Sequence, residues 1–201
     1  EYRSDVLPNR NQGYSGRVTY DYASKYLVEF NFGYNGSERL AAGQRFEFFP
    51  AVSAGWVASS EKFWEPISKY INHFKIRGSY GLVGSDAFAS GAPHFLYQNN
   101  IGIGSAHKFW TGLPTSEISK QGPGFYVLAV QDAGWEHVKK FDIGFDMMLF
   151  NQLNITFDYF HDKRERILMS RASWPSMLGY WGSKPWSNIG EVENQGFELS
   201  L

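Results

Sequence analysis

The side chains best suited to metal or acid–base chemistry are five histidines, His73, His94, His107, His137 and His161, and two aspartates four residues apart, Asp142 and Asp146. No two of the histidines have the spacing of a zinc pair, and H-E-x-x-H does not occur. Asp142 and Asp146 share one face of an alternating segment, but no third carboxylate completes a cage for a hard cation. Gly102 and Gly104, in NIGIGSAH, match part of a glycine-rich phosphate loop, yet they lack the strand–loop–helix context and the lysine that such a loop needs. Neither G-x-S-x-G nor a Ser-His-Asp order is present. With no cysteine in the chain, thiol catalysis, disulfide scaffolds and cysteine-ligated zinc are excluded. No catalytic residue, metal site or cofactor is therefore expected, and the chain is not expected to be an enzyme.

Aromatic side chains are the remaining source of chemistry. Tyr97, Trp110, Phe125, Tyr126, Trp174, Tyr180, Trp181 and Trp186 fall in two long stretches rich in Gly, Pro and Trp. A ring presents an apolar face to the C–H side of a sugar, while Trp and Tyr add a polar handle. The same residue types are enriched at protein interfaces, and they also pack loops together. All three readings stay open for these residues. Trp110, Tyr126, Trp174, Trp181 and Trp186 are the candidates for contact with a substrate or a partner.

The elements that must hold those loops alternate with period two. Tyr26, Val28, Phe30, Phe32 and Tyr34 lie on one face, and Leu27, Glu29, Asn31 and Gly33 on the other. Similar alternation runs through Tyr14–Tyr22, Phe74–Leu82, Phe141–Leu149, Leu153–Tyr159 and Phe197–Leu201. A helix would spread such residues around its surface, whereas a strand sorts them onto two faces. A weaker strand over 45–58 contains Pro50, which predicts an edge or a bulge because proline cannot donate to a ladder. About seven antiparallel strands are expected, several longer than the roughly 5–6 residues usual in globular proteins. The connections alternate in length. Ala23-Ser24, Phe150 to Gln152 (with a tight turn at Asn151-Gln152) and Ser59 to Ile71, the last with a short helical turn near Ser60, lie on one side. Ser37–Gln44 and the long segments 85–134 and 169–188 lie on the other. Short turns on one rim and long loops on the other are the asymmetry of outer-membrane barrels, although a soluble β-sandwich also gives strands with one apolar face.

Composition points the same way. The chain has 36 aromatic residues against 33 Ile, Leu and Val, a balance that suits sheets, interfaces and membrane belts better than an ordinary soluble core. Nineteen basic and twenty acidic residues leave a net charge of −1, without the basic excess of a nucleic-acid-binding protein. No apolar run approaches the length of a membrane helix, and no basic start followed by an apolar stretch marks a signal peptide.

Three blocks carry a family resemblance: GRVTYDYASKYLVEFNFGYNGSERL, RFEFFPAVSAGWVASSEKFW and FKIRGSYGLVG. FDIGFDMMLF, LNITFDYF and NQGFELSL continue it in order. From about Gly16 to Leu201, outside the loops, the chain resembles consecutive barrel segments of SusC/RagA-type TonB-dependent outer-membrane transporters. Phe49, Pro50, Gly55 and Trp56 in one block, and Arg77, Gly78 and Gly81 in another, are the most specific structural positions. Asn35 and Ala51 depart from the family pattern, where Asp and Ser would stand.

The resemblance implies an all-β fold, a transmembrane up-and-down barrel of 22 strands with a plug in its lumen, a class known among outer-membrane transporters. It implies a SusD-type surface lipoprotein as partner, energy from TonB through the plug, and a glycan or oligopeptide as the imported substrate. Residues 1–201 are then expected to be part of the barrel domain of a longer chain, embedded in outer-membrane lipid, with the plug domain outside this sequence. Val28, Phe30, Phe32, Phe141, Ile143 and Phe145 are expected to face lipid. Tyr20, Tyr22, Tyr26, Trp56 and Tyr159 are expected in an interfacial girdle. Arg17, Asp21, Glu29, Lys75, Arg77, Asp142, Asp146 and Asp158 are expected on the lumen wall, paired across strands or in contact with the plug, with a substrate path as the functional alternative. The alternative is a secreted β-sandwich that binds carbohydrate on its aromatic loops.

Overall fold

A computed structural model describes residues 10–88, 92–111, 118–171, 175 and 185–201. Seven strands form one antiparallel sheet in the order β1 (Asn11–Tyr22), β2 (Tyr26–Ser37), β3 (Phe46–Val57), β4 (Ile71–Ser85), β7 (Glu136–Leu149), β8 (Leu153–Ser170) and β9 (Trp186–Ser200). Each strand lies beside its predecessor in that order, as in an up-and-down meander. The shortest has 12 residues and the longest 18, so each exceeds the roughly 9–11 residues that cross a bilayer's hydrocarbon layer.

The pairing register converts sequence alternation into two continuous faces. Tyr20, Val28, Ala54, Gly78, Ile143, Tyr159 and Phe197 form one row across all seven strands. The next row holds Tyr22, Tyr26, Trp56, Ile76, Phe145, Phe157 and Leu199. Val18, Phe30, Val52, Tyr80 and Phe141 belong to the same face and are all exposed. The opposite face carries Arg17, Asp21, Glu29, Ser53, Lys75, Arg77, Asp142, Asp146 and Asp158. A one-residue slip between any two strands would exchange the faces, so the unbroken apolar rows fix the register throughout.

Two turns explain how short links suffice on one rim. Ala23 and Ser24 have positive φ (both 55°), with Lys25 N–H donating to Tyr22 O at 3.0 Å. Phe150 and Asn151 repeat this conformation (54° and 53°), and Gln152 N–H donates to Leu149 O. Such turns match the right-handed twist of a hairpin. The second turn centres one residue earlier than the Asn151-Gln152 reading.

Several expectations are refined. Pro50 lies in a central strand, not at an edge. The β3–β4 ladder stops at Ala51–Gly81 while Pro50 stays in register with Phe32 on the other side, so proline sits where one ladder has ended. Tyr159 lies inside β8 (Leu153–Ser170) rather than at its turn end, in the same register row as Tyr20. Segment 85–134 contains an antiparallel hairpin, β5 (Asn100–Thr111) with β6 (Ile118–Val127), where the sequence shows no regular pattern. The link over 59–71 contains two 3₁₀ turns, Ala58–Ser60 and Lys62–Trp64.

Two clusters of buried side chains lie at the long-loop rim. Leu40, Phe49 and Trp135 form one cluster, joined by Leu82 and Phe88. Leu96, Val130, Ala133 and Leu168 form another, with Phe88, Ala92 and Trp186 against it. Among the described residues, none gives the middle of the sheet such cover on its apolar face.

Candidate functional site: the polar wall and its loop rim

The polar face is organised around Arg77. Its position in β4 is opposite Gly144 in β7, and Gly144 is opposite Asp158 in β8. A Cβ at Gly144 would land in the Asp158 carboxylate and 2.5 Å from the Phe157 carbonyl oxygen. The bare glycine opens a lane, and through it Arg77 Nη2 donates to the Asp158 carboxylate at 2.7 Å. Arg77 Nε donates to Asp146 Oδ2 at 3.3 Å, and Nη1 lies 3.5 Å from Asp142 Oδ1. Thr156 Oγ1 donates to the other Asp146 oxygen at 3.1 Å. A planar five-donor guanidinium suits three carboxylates arranged around it. Asp142 and Asp146 therefore serve a guanidinium. Among the described residues, no group of three or more His, Asp or Glu is arranged to hold a metal ion.

Beside this hub, on the β1–β4 side, lies an open concavity of about 500 Å³ lined by Thr19, Asp21, Glu29, Ser53, Lys75 and Ser79 among others. Glu29 accepts from Arg17 and from Asn31 Nδ2. Among the described residues Lys75 makes no ion pair, so it presents a cation to the concavity. Of the structural-motif residues, Gly55 lies in the same row as Leu27 and Arg77, and Gly81 faces Ala51, whose Cβ a side chain at Gly81 would meet at 2.8 Å. Gly78 and Trp56 lie on the apolar face.

The loop rim caps this wall. Phe49 is 7% exposed and meets Trp135 edge-on at 5.4 Å, and Trp135 Nε1 donates to Arg45 O. His137 Nε2 and Glu47 Oε1 approach to 2.8 Å beside them. Phe49 thus ties β3 to the segment leading into β7. Sequence reasoning treated Phe49 as a family marker without a partner.

The candidate contact residues divide. Trp110 on β5 and Tyr126 on β6 are exposed, at 63% and 53%. Trp186 opens β9 and packs half-buried against the Leu96–Leu168 cluster. Tyr97 reaches back to Glu38 O through its hydroxyl. Trp174 and Trp181 lie outside the described residues.

The family model described as "TonB dependent receptor-like, beta-barrel" matches residues 2–201. TonB-dependent receptor P3 of Formosa agariphila is 32% identical over 187 residues, covering 92% of this chain and 17% of that protein. TonB-dependent receptor SusC of Bacteroides thetaiotaomicron is 24% identical over 200 residues, covering 94% of this chain and 18% of its own length. In solved structures, the RagAB peptide importer in its closed-closed state superposes with a TM-score of 0.74 at 18% identity, over 95% of this chain and 19% of that one. The chain spans less than a fifth of the length of each of these relatives.

Proposed function

The chain belongs to the TonB-dependent receptor β-barrel family, and from that premise we propose that it forms a wall segment and outer loops of a bacterial outer-membrane nutrient importer. The carrying observation is the apolar face that runs uncovered across seven strands, opposite a face held by ion pairs. A water-soluble sandwich would bury that face under a second sheet, but Val18, Phe30, Ile143 and Phe197 remain exposed, at 63%, 41%, 45% and 77%. In a bilayer the same face meets lipid, and the charged face meets the lumen. The edges of β1 and β9 cannot face hydrocarbon unpaired, so further strands of the same barrel continue the sheet on both sides.

In this reading residues 1–201 are part of the barrel domain, the plug domain lies elsewhere in the full protein, and loops 85–134 and 169–188 are extracellular. Transport involves no chemical step and no cofactor. Substrate is captured between the loops and a SusD-type lipoprotein and released inward when TonB acts on the plug. The substrate class is glycan or oligopeptide. Kinship with SusC and likeness in fold to the RagAB peptide importer support this reading.

The test uses the full-length protein extracted from outer membranes in detergent. Its denatured mass should be several times 22.9 kDa, and a surface lipoprotein should co-purify. Cells lacking the protein should lose uptake of either a labelled glycan or a labelled oligopeptide. Recovery of the native protein from the soluble fraction at about this mass would overturn the reading.

A further inference from the structure

The link between β3 and β4 has an organisation that wall formation does not require. After its two 3₁₀ turns, Ser68 N–H donates to Trp64 O and Ile71 N–H to Ile67 O, each at 3.0 Å. Glu61 accepts from Tyr26 Oη (2.8 Å) and Lys25 Nζ (3.1 Å), which fastens it to the β1–β2 turn. Phe150 N–H donates to Tyr70 O (3.0 Å), and Asn151 N–H donates to the Asn72 side chain (2.7 Å), which fastens it to the β7–β8 turn. The three short connections of this rim are one bonded unit.

Its rings face two ways. Trp64 stacks on Phe74 of β4, with centroids 5.3 Å apart and planes 7° from parallel, and donates through Nε1 to Ile71 O. Phe74 in turn meets Phe145, and Phe63 lies 6.4 Å from Trp56. The link is therefore continuous with the apolar face. Phe63, Ile67, Tyr70 and Phe150 project outward, 60%, 42%, 57% and 61% exposed, with Tyr70 edge-on to Phe150. Phe63, Ile67 and Tyr70 recur at near-helical spacing. Among the described residues Lys62 and Lys69 form no ion pair.

We propose that segment 58–70 is an in-plane membrane anchor seated in the phospholipid headgroup layer at the short-turn rim. The inference rests on the barrel reading above. Phe63, Ile67 and Tyr70 enter the upper acyl region, to the depth of about 5–10 Å that interfacial segments reach. Lys62 and Lys69 extend their stems along it and hold their ammonium groups at lipid phosphates. Aromatic rings with one polar end favour this layer. Phospholipid is the occupant because the exposed rings continue the face that already meets lipid.

The test places single cysteines at 67, 70, 28 and 43 (I67C, Y70C, V28C and G43C) in the full-length protein freed of other cysteines. An environment-sensitive fluorophore is attached, and the protein is reconstituted in phosphatidylethanolamine–phosphatidylglycerol liposomes. Nitroxides at the headgroup or high on the acyl chain should quench positions 67 and 70 severalfold more than aqueous iodide does. A deep nitroxide should quench position 28, and only iodide should quench position 43. If 67 and 70 behave like 43 while 28 still meets the deep nitroxide, the anchor is wrong and the barrel stands. If 67 and 70 are shielded from iodide and every nitroxide alike, a protein covers them and the anchor is again wrong. If 28 escapes lipid as well, the barrel reading falls and the anchor with it.

Discussion

Arg77 and Asp158 are joined at 2.7 Å across an intervening strand, over the bare backbone of Gly144. The contact links residues 81 positions apart and holds β4, β7 and β8 on one guanidinium. Removing it would leave Asp142, Asp146 and Asp158 together without a cation, and a partly buried charge without its partner costs about 1–3 kcal/mol. Arg77→Met in the full-length protein should therefore lower the temperature at which the barrel loses its folded, heat-modifiable gel mobility. Arg77→Lys should recover only part of the loss, because an ammonium is a point charge and cannot serve three separated carboxylates. Wild-type melting of Arg77→Met would remove the hub from the account of stability.

Gly144 makes a separate prediction. Gly144→Ala introduces a Cβ that meets both a side chain and the Phe157 backbone, so rotating Asp158 away does not relieve it. The substitution should destabilise at least as much as Asp158→Asn. The double variant should fall well short of the sum of the two, because both changes close the same lane. Melting temperatures of the three variants in one detergent decide the matter, and full additivity would separate the glycine from the ion pair.

The two faces of the sheet should respond oppositely to charge. Ile143→Arg places a cation in the middle of the apolar band, where the cost is about 2–4 kcal/mol at the bilayer midplane. Ser53→Arg places the same cation on the polar wall and should be nearly neutral. Yield of folded protein in the outer-membrane fraction measures both. Equal tolerance would contradict a lipid-facing Ile143.

The strands were legible because their information is local. Val28, Phe30 and Phe32 declare a face from their own spacing, and the register needs only that such faces align. The Arg77 hub was not legible, since the sequence places Asp142, Asp146 and Asp158 on polar faces but does not say which glycine lies between them and the arginine. The hairpin of β5 and β6 escaped for a different reason. NIGIGSAHKFWT and ISKQGPGFYV carry glycines and a proline that read as loop, and their ladder contains register shifts that break simple alternation. The anchor segment was visible only as a helical turn, because stacking of Trp64 on Phe74 depends on how the link folds back on the sheet.

Glu61 gives the pH dependence. Hydrogen bonds from Tyr26, then Lys25, hold its carboxyl below the ordinary carboxylate range. A carboxylate lowered in the folded state contributes stability that is complete above its unfolded value and is lost as pH falls through the folded one. The link between 58–70 and the β1–β2 turn should therefore be intact at neutral pH and released only in acid. Glu61→Gln should show weaker protection from hydrogen exchange at Lys25 and Tyr26, the same at every pH. The wild type should exceed it at pH 7 and converge with it in acid. A constant gap between the two at every pH would assign the effect to something other than the charge.

The exposed rings of the β5–β6 hairpin make the last prediction. Trp110 and Tyr126 stand at 63% and 53% exposure at the end of the molecule opposite the short turns. Trp186, by contrast, is committed to packing against the Leu96–Leu168 cluster. Large rings left in water at a loop rim are the residue types that dominate interface energetics, and truncating one at the centre of an interface costs about 2 kcal/mol or more. If the lipoprotein seats on this rim, Trp110→Ala and Tyr126→Ala should each weaken its co-purification without changing barrel melting. Trp186→Ala should lower melting first. The order matters, because loss of the partner from Trp186→Ala alone would mean that the hairpin rings do not touch the partner and that the contact surface lies elsewhere on the rim.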